Sequence, residues 1–112
     1  IAPRAVLQSS PTEISDVSET PHITLRVCIM GRVQGVWYRA WITKQAAARE
    51  LCGWVRNRRD GSVEAVFSGP ESQVEKMIAT CYSGPPSARV EGITRHAFSK
   101  KFRPGFETLP TV

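Results

Sequence analysis

Two short strings hold the residues best suited to chemistry. Residues 31–39 read GRVQGVWYR, two glycines four positions apart followed by Arg39. A glycine-bounded turn between a strand and a helix lets successive backbone N–H groups converge on one point, where the helix N-terminus adds partial positive charge. That is chemistry for holding an anion. Arg39 falls near the first turn of the following helix, and its planar fork binds two oxygens of a phosphate or carboxylate at once, a geometry lysine lacks. The second string is GWVRNRRDGSVE, residues 53–64. Strict strand alternation puts Val55 and Asn57 on one side and Trp54, Arg56 and Arg58 on the other. The Asn57 carboxamide donates to an anion or accepts from a water, with a fixed ionisation state near neutral pH. Taken singly, each string favours a plainer reading. The first is then an ordinary strand-to-helix turn with a surface arginine, the second an asparagine leading into the Asp60–Gly61 turn.

The elements that must position these strings follow from hydrophobic periodicity. Ile23, Leu25, Val27 and Ile29 alternate with His22, Thr24, Arg26 and Cys28, the period of a half-buried strand running into the first string. Val36, Ala40, Thr43, Ala47 and Leu51 recur at steps of three and four, which predicts a helix with that stripe inward. Gly53 ends it, and GWVRN, RRDG and SVEAVFS read as strand, turn, strand. Gly69 is expected to cap a second helix with Pro70 in its first position and Val74, Met77, Ile78 and Cys81 as its apolar stripe. SGPPS, residues 83–87, stops that helix; Val90 to Phe98 forms another strand, and Phe106 to Leu109 a short edge strand. The order β-α-β-β-α-β predicts a ferredoxin-like α+β sandwich, an antiparallel sheet with two helices on one face.

Composition narrows the function classes. The 112 residues make one domain, and 41% hydrophobic with 22% charged residues is ordinary globular usage without a membrane span. The formal net charge is +5; residues 1–20 contribute −2 and residues 21–112 contribute +7, so an anionic partner is expected. Residues 1–20 mix Pro, Ser, Thr and acidic residues without sustained periodicity and are expected to form a flexible tail before a domain at 21–112. Cys28, Cys52 and Cys81 are odd in number and lack ligand spacing, which argues against a disulfide framework or a zinc site and for a reducing cytoplasm. No stretch reads as a secretory signal.

Together the strings resemble the acylphosphatase family, whose pattern is GxVQGVxxR followed by GxVxNxxDGxVE. Gly31, Val33, Gln34, Gly35, Val36 and Arg39, then Gly53, Val55, Asn57, Asp60, Gly61, Val63 and Glu64, fill every fixed position. SGPPSARVE, residues 83–91, is also similar, and the resemblance spans about residues 22–109. It implies the same ferredoxin-like architecture and hydrolysis of acyl phosphates to carboxylate and inorganic phosphate, with no metal or other cofactor. Arg39 matches the arginine that holds the phosphate and Asn57 the asparagine that positions the attacking water. Backbone N–H groups of Arg32, Val33, Gln34, Gly35 and Val36 are expected to share the phosphate's charge. Ile42 stands where family members often carry threonine, with Thr43 beside it, and Arg49 to Leu51 replace a Leu-Gly-Leu helix end. Trp37 reads first as a packing residue and second as a loop-edge aromatic that helps choose the acyl group.

The expected partners are therefore a small-molecule acyl phosphate and inorganic phosphate, with no nucleic acid and no membrane, for a cytoplasmic monomer. The same element order also builds single-stranded RNA-binding modules, which is the alternative function. Those modules need stacking aromatics on two central strands, whereas SVEAVFS offers Glu64 and only Phe67. Domains resembling acylphosphatase also open longer hydrogenase-maturation proteins with zinc-finger-like cysteines; lacking a CxxC, this chain is expected to be the stand-alone type.

Overall fold

A computed structural model describes residues 21–100 and 102–112. The tail expected over residues 1–20 lies outside the described residues. The elements are β1 (His22–Arg32), α1 (Tyr38–Ala48), β2 (Cys52–Asn57), β3 (Val63–Pro70), α2 (Glu71–Ser83), β4 (Arg89–Ala97) and β5 (Phe106–Thr108). The five strands form one sheet in the order β4-β1-β3-β2-β5. Strands β4, β1, β3 and β2 pair antiparallel with their neighbours, as the ferredoxin-like plan requires, while β5 joins β2 in parallel, so the sheet as a whole is mixed.

Alternation gives the sheet two faces. Val27, Ile29, Val55, Val63, Ala65 and Phe67 form one core with Tyr38, Ile42 and Ala46 of α1 and Val74, Met77, Ile78 and Cys81 of α2. Each fully buried Val, Ile or Phe side chain contributes about 1.5–3 kcal/mol, so this layer is the main source of stability. The other face carries Arg26, Trp54, Arg56 and the buried Glu64. There Glu64 accepts from Arg26 at 3.0 Å and from Arg56 at 2.8 Å. The Arg56 guanidinium lies over the Trp54 ring at 4.6 Å. Burial alone pushes the Glu64 carboxyl upward, yet the hydrogen bonds from Arg56 and Arg26 outweigh it and hold the group below its ordinary value.

Three local expectations need correction. The buried stripe of α1 is Tyr38, Ile42 and Ala46, while Ala40 and Ala47 are exposed. Alanine and threonine give little contrast between faces, and the phase is set by the bulkier Tyr38 and Ile42. Strand β1 also continues through Gly31 and Arg32, past the point where the loop was expected to begin. A bulge after Met30 lets Gly31 pair with Val90, and a Cβ at Gly31 would meet the Arg89 carbonyl oxygen at 2.2 Å. Finally, β3 runs to Pro70, which sits at the N-cap with ψ 138° instead of the first helical turn; Glu71 opens α2.

Candidate active site

Between the ends of β1 and β2 the chain makes two turns that face each other. The first, residues 33–37, joins β1 to α1. Gly35 takes φ 73° and Trp37, the N-cap of α1, takes φ 66°. Val33 and Val36 are buried and anchor the loop in the core. The second turn, residues 58–62, joins β2 to β3. The Arg58 N–H donates to the Ser62 carbonyl oxygen at 2.9 Å, and the Gly61 N–H to the Arg58 carbonyl oxygen at 3.0 Å. Asp60 Oδ1 accepts from the Ser62 N–H at 2.9 Å and from its hydroxyl at 2.6 Å, which holds the Asp60 carboxyl below its ordinary value. Positive φ at Gly61, 95°, completes the tight turn the sequence pointed to.

Gln34 links the two turns. Its Nε2 donates to the carbonyl oxygens of Arg58 at 2.7 Å and Ser62 at 2.8 Å. The link fixes the loop after β1 against the hairpin that begins at Asn57.

The first turn, the start of α1, the end of β2 and Thr108 of β5 border an open cavity of about 470 Å³, lined by Val33, Gln34, Gly35, Trp37, Tyr38, Arg39, Ala40, Asn57 and Thr108. Five expected site residues, Val33, Gln34, Gly35, Arg39 and Asn57, therefore meet at one place. Arg32 and Val36 are not among the lining residues: Arg32 ends β1 opposite Arg89, and the Val36 side chain belongs to the core.

Arg39 and Asn57 reach the cavity with free hydrogen-bonding capacity. Arg39 is half-buried, and among the described residues its guanidinium enters none of the ion pairs. Asn57 Oδ1 is buried and has no hydrogen-bond partner. Leaving a buried acceptor unpaired costs about 1–3 kcal/mol, so such a group marks a place where a donor is expected to bind. Nearby Arg58 is only partly free, at 3.6 Å from Glu64 and 3.8 Å from Asp60. The arrangement can seat an anion between the Arg39 guanidinium and the turn that carries Gly35, with the Asn57 carboxamide oxygen at the same cavity to hold a water. Among the described residues no group of three or more His, Cys, Asp and Glu side chains gathers to hold a metal ion. Likewise, no described helix is long and apolar enough to cross a membrane.

Sequence reasoning missed Thr108 and assigned Tyr38 no place. Thr108 Oγ1 lies 3.2 Å from Thr43 Oγ1, whose hydroxyl donates to the Arg39 carbonyl oxygen at 2.9 Å. Alternation along β5 puts Thr108 on the side of Phe106, but its place at the cavity depends on the parallel pairing of β5 with β2, which sets Thr108 opposite Val55. Tyr38 lines the cavity but is almost wholly buried, and its hydroxyl donates to the Cys81 carbonyl oxygen. Burial pushes its phenol well above the ordinary range. Ile42 is a core residue, and Trp37 is 82% exposed, so it does not pack as first expected.

These features define a class: a small ferredoxin-like α+β domain whose β1–α1 loop and the end of β2 bring Arg39 and Asn57 to one cavity. A family model described as Acylphosphatase matches residues 25–108. An acylphosphatase of Rhodospirillum rubrum is 51% identical over 89 residues, covering 80% of this chain and 98% of its own. Two solved structures are similar throughout. An acylphosphatase from Bacillus subtilis matches with TM-score 0.74 and 33% identity over 78% of this chain and 98% of its own. One from Coxiella burnetii matches with TM-score 0.77 and 26% identity over 86% and 100%. The chain belongs to the acylphosphatase family.

Proposed function

We propose that the chain is an acylphosphatase, hydrolysing the carboxyl–phosphate bond of acyl phosphates through attack of one oriented water. The observation that carries this reading is the meeting of Arg39, free of ion pairs, and the unpartnered Asn57 Oδ1 at one cavity. Family membership supports the reaction class.

In the proposed mechanism, Arg39 and the main-chain amides of the lining loop, Val33, Gln34 and Gly35, hold the phosphoryl oxygens. Asn57 Oδ1 accepts a proton of the attacking water in a hydrogen bond and aims its oxygen at phosphorus. As the water oxygen bonds to phosphorus, the bond from phosphorus to the acyl oxygen breaks, and its electron pair leaves on the carboxylate. One water proton stays on the phosphate product and the other passes to solvent. A carboxylate is already a stable leaving group, so orientation and charge stabilisation carry much of the rate gain. The proposed setting is a cytoplasmic monomer working without metal, nucleic acid or membrane. The experiment is hydrolysis of benzoyl phosphate in EDTA beside a phosphate monoester. Turnover of the acyl phosphate alone is expected, and loss of turnover on chelation contradicts the metal-free step.

The RNA-binding reading is not favoured. On the helix-free face, where such a module stacks bases, Glu64 is locked between Arg26 and Arg56, and the Trp54 ring is already covered by Arg56. Salt-sensitive binding of a short single-stranded oligonucleotide that survives Arg39→Ala would restore it.

A further inference from the structure

We infer that Trp37 is a specificity residue, its indole forming the wall of the cavity against which a flat aromatic acyl group stacks. This inference deepens the proposed acyl phosphate hydrolysis and rests on it. Three observations converge on the residue. First, Trp37 takes φ 66° and ψ 20°, a left-handed conformation that glycine or asparagine adopts at lower cost. Its side chain makes no capping hydrogen bond that would offset this. Second, the indole is 82% exposed, the most exposed of the large hydrophobic side chains described, so it adds almost nothing to the core. The neighbouring Tyr38 and Trp41 rings pair with each other instead, centroids 5.5 Å apart. Third, Trp37 lines the same cavity as Arg39 and Asn57.

A strained backbone bearing an exposed, unpacked tryptophan is explained by what the ring meets in the bound state. The cavity, about 470 Å³, falls in the range that holds drug-sized ligands, well beyond the needs of a phosphoryl group alone. The same lining includes small side chains or none, Ala40 and Gly35. A planar acyl group joined to a phosphate held at Arg39 can therefore lie against the ring. The chemical class selected is aroyl phosphates over short aliphatic ones, because offset stacking adds to simple area burial.

The test compares kcat/KM for benzoyl phosphate and acetyl phosphate in the wild type, Trp37→Asn and Trp37→Phe. Asparagine suits the left-handed backbone, so Trp37→Asn should keep or raise Tm, whereas a structural tryptophan would lower it. The ratio of benzoyl to acetyl kcat/KM is expected to fall about fivefold in Trp37→Asn and to be largely retained in Trp37→Phe. An unchanged ratio in Trp37→Asn, with turnover of both substrates intact, overturns the role of Trp37 and leaves the hydrolase reading standing. A marked loss of Tm in Trp37→Asn overturns it as well. A wild type that hydrolyses neither substrate defeats the hydrolase reading, and this inference with it.

Discussion

Gln34 donates its side-chain amide to the carbonyl oxygen of Arg58 across 2.7 Å, so the residue after Asn57 is tied directly to the loop that carries Gly35. With the second bond, to Ser62, the amide spans the mouth of the β2–β3 hairpin. Neither Arg39 nor Asn57 makes this link, which joins the loop before Arg39 to the turn after Asn57.

Gln34→Glu is expected to damage the protein more than Gln34→Ala. Glutamate places a charged acceptor against two carbonyl oxygens, whereas alanine only removes a donor, at about 1–2 kcal/mol. Both variants should lose kcat, by about tenfold for alanine if the water is misplaced. Steady-state kinetics and denaturant midpoints check the order; a glutamate variant equal to wild type contradicts the role given to the amide.

The glycines separate fold from site. A Cβ at Gly53 would meet the Val66 carbonyl oxygen at 1.9 Å, a rigid backbone atom of the neighbouring strand that cannot give way. Gly53→Ala is therefore expected to prevent folding or to lower Tm sharply. A Cβ at Gly35 meets nothing within 4 Å, although φ is 73°. Gly35→Ala should fold at a cost of about 1–2 kcal/mol and weaken phosphate inhibition, because the turn must present its amides at one angle. Circular dichroism with inhibition by inorganic phosphate distinguishes the two.

Glu64 sets an acid limb of stability. Its pKa in the folded protein lies below the ordinary 4.5, so the stabilisation it gives is complete above that value and is lost as pH falls through the folded one. Glu64→Gln should lower the unfolding free energy by about 1.5–3 kcal/mol at neutral pH. The gap to wild type should narrow below about pH 4.5, as the wild-type carboxyl protonates. Urea titrations between pH 3 and 7 measure it; a gap independent of pH contradicts the pairing.

Thiol labelling checks the core. Cys81 is fully buried, and burial pushes its thiol up to about 12, while Cys28 and Cys52 are half-buried. No more than two thiols should react in the native protein, with the third appearing on unfolding. Three fast native thiols contradict the packing of α2.

Particular residues explain what was readable beforehand. Alternation was enough to group Asn57 with Val55 on one side of its strand, and the structure puts Val55 in the core under the helices. Asp60 and Gly61 announced their turn through the φ values they tolerate. The α1 stripe was misread by about half a turn of the helix, since Ala40, Thr43 and Ala47 carry too little hydrophobic contrast to fix a phase. Thr108 and the Gln34 bridge escaped because both depend on contacts between segments far apart in sequence, which periodicity does not encode. The left-handed Trp37 escaped for a different reason, since tryptophan carries no local signal for positive φ.

The most direct test of the division of labour between Arg39 and Asn57 is the inhibition constant of inorganic phosphate measured beside benzoyl phosphate turnover in Arg39→Lys and Asn57→Ala. Arg39→Lys is expected to lose both turnover and phosphate inhibition, with a drop in kcat/KM of about a hundredfold or more. Asn57→Ala should lose turnover while phosphate still inhibits it as in the wild type. Equal loss of phosphate affinity in the two variants contradicts the assignment of anion holding to one and water positioning to the other.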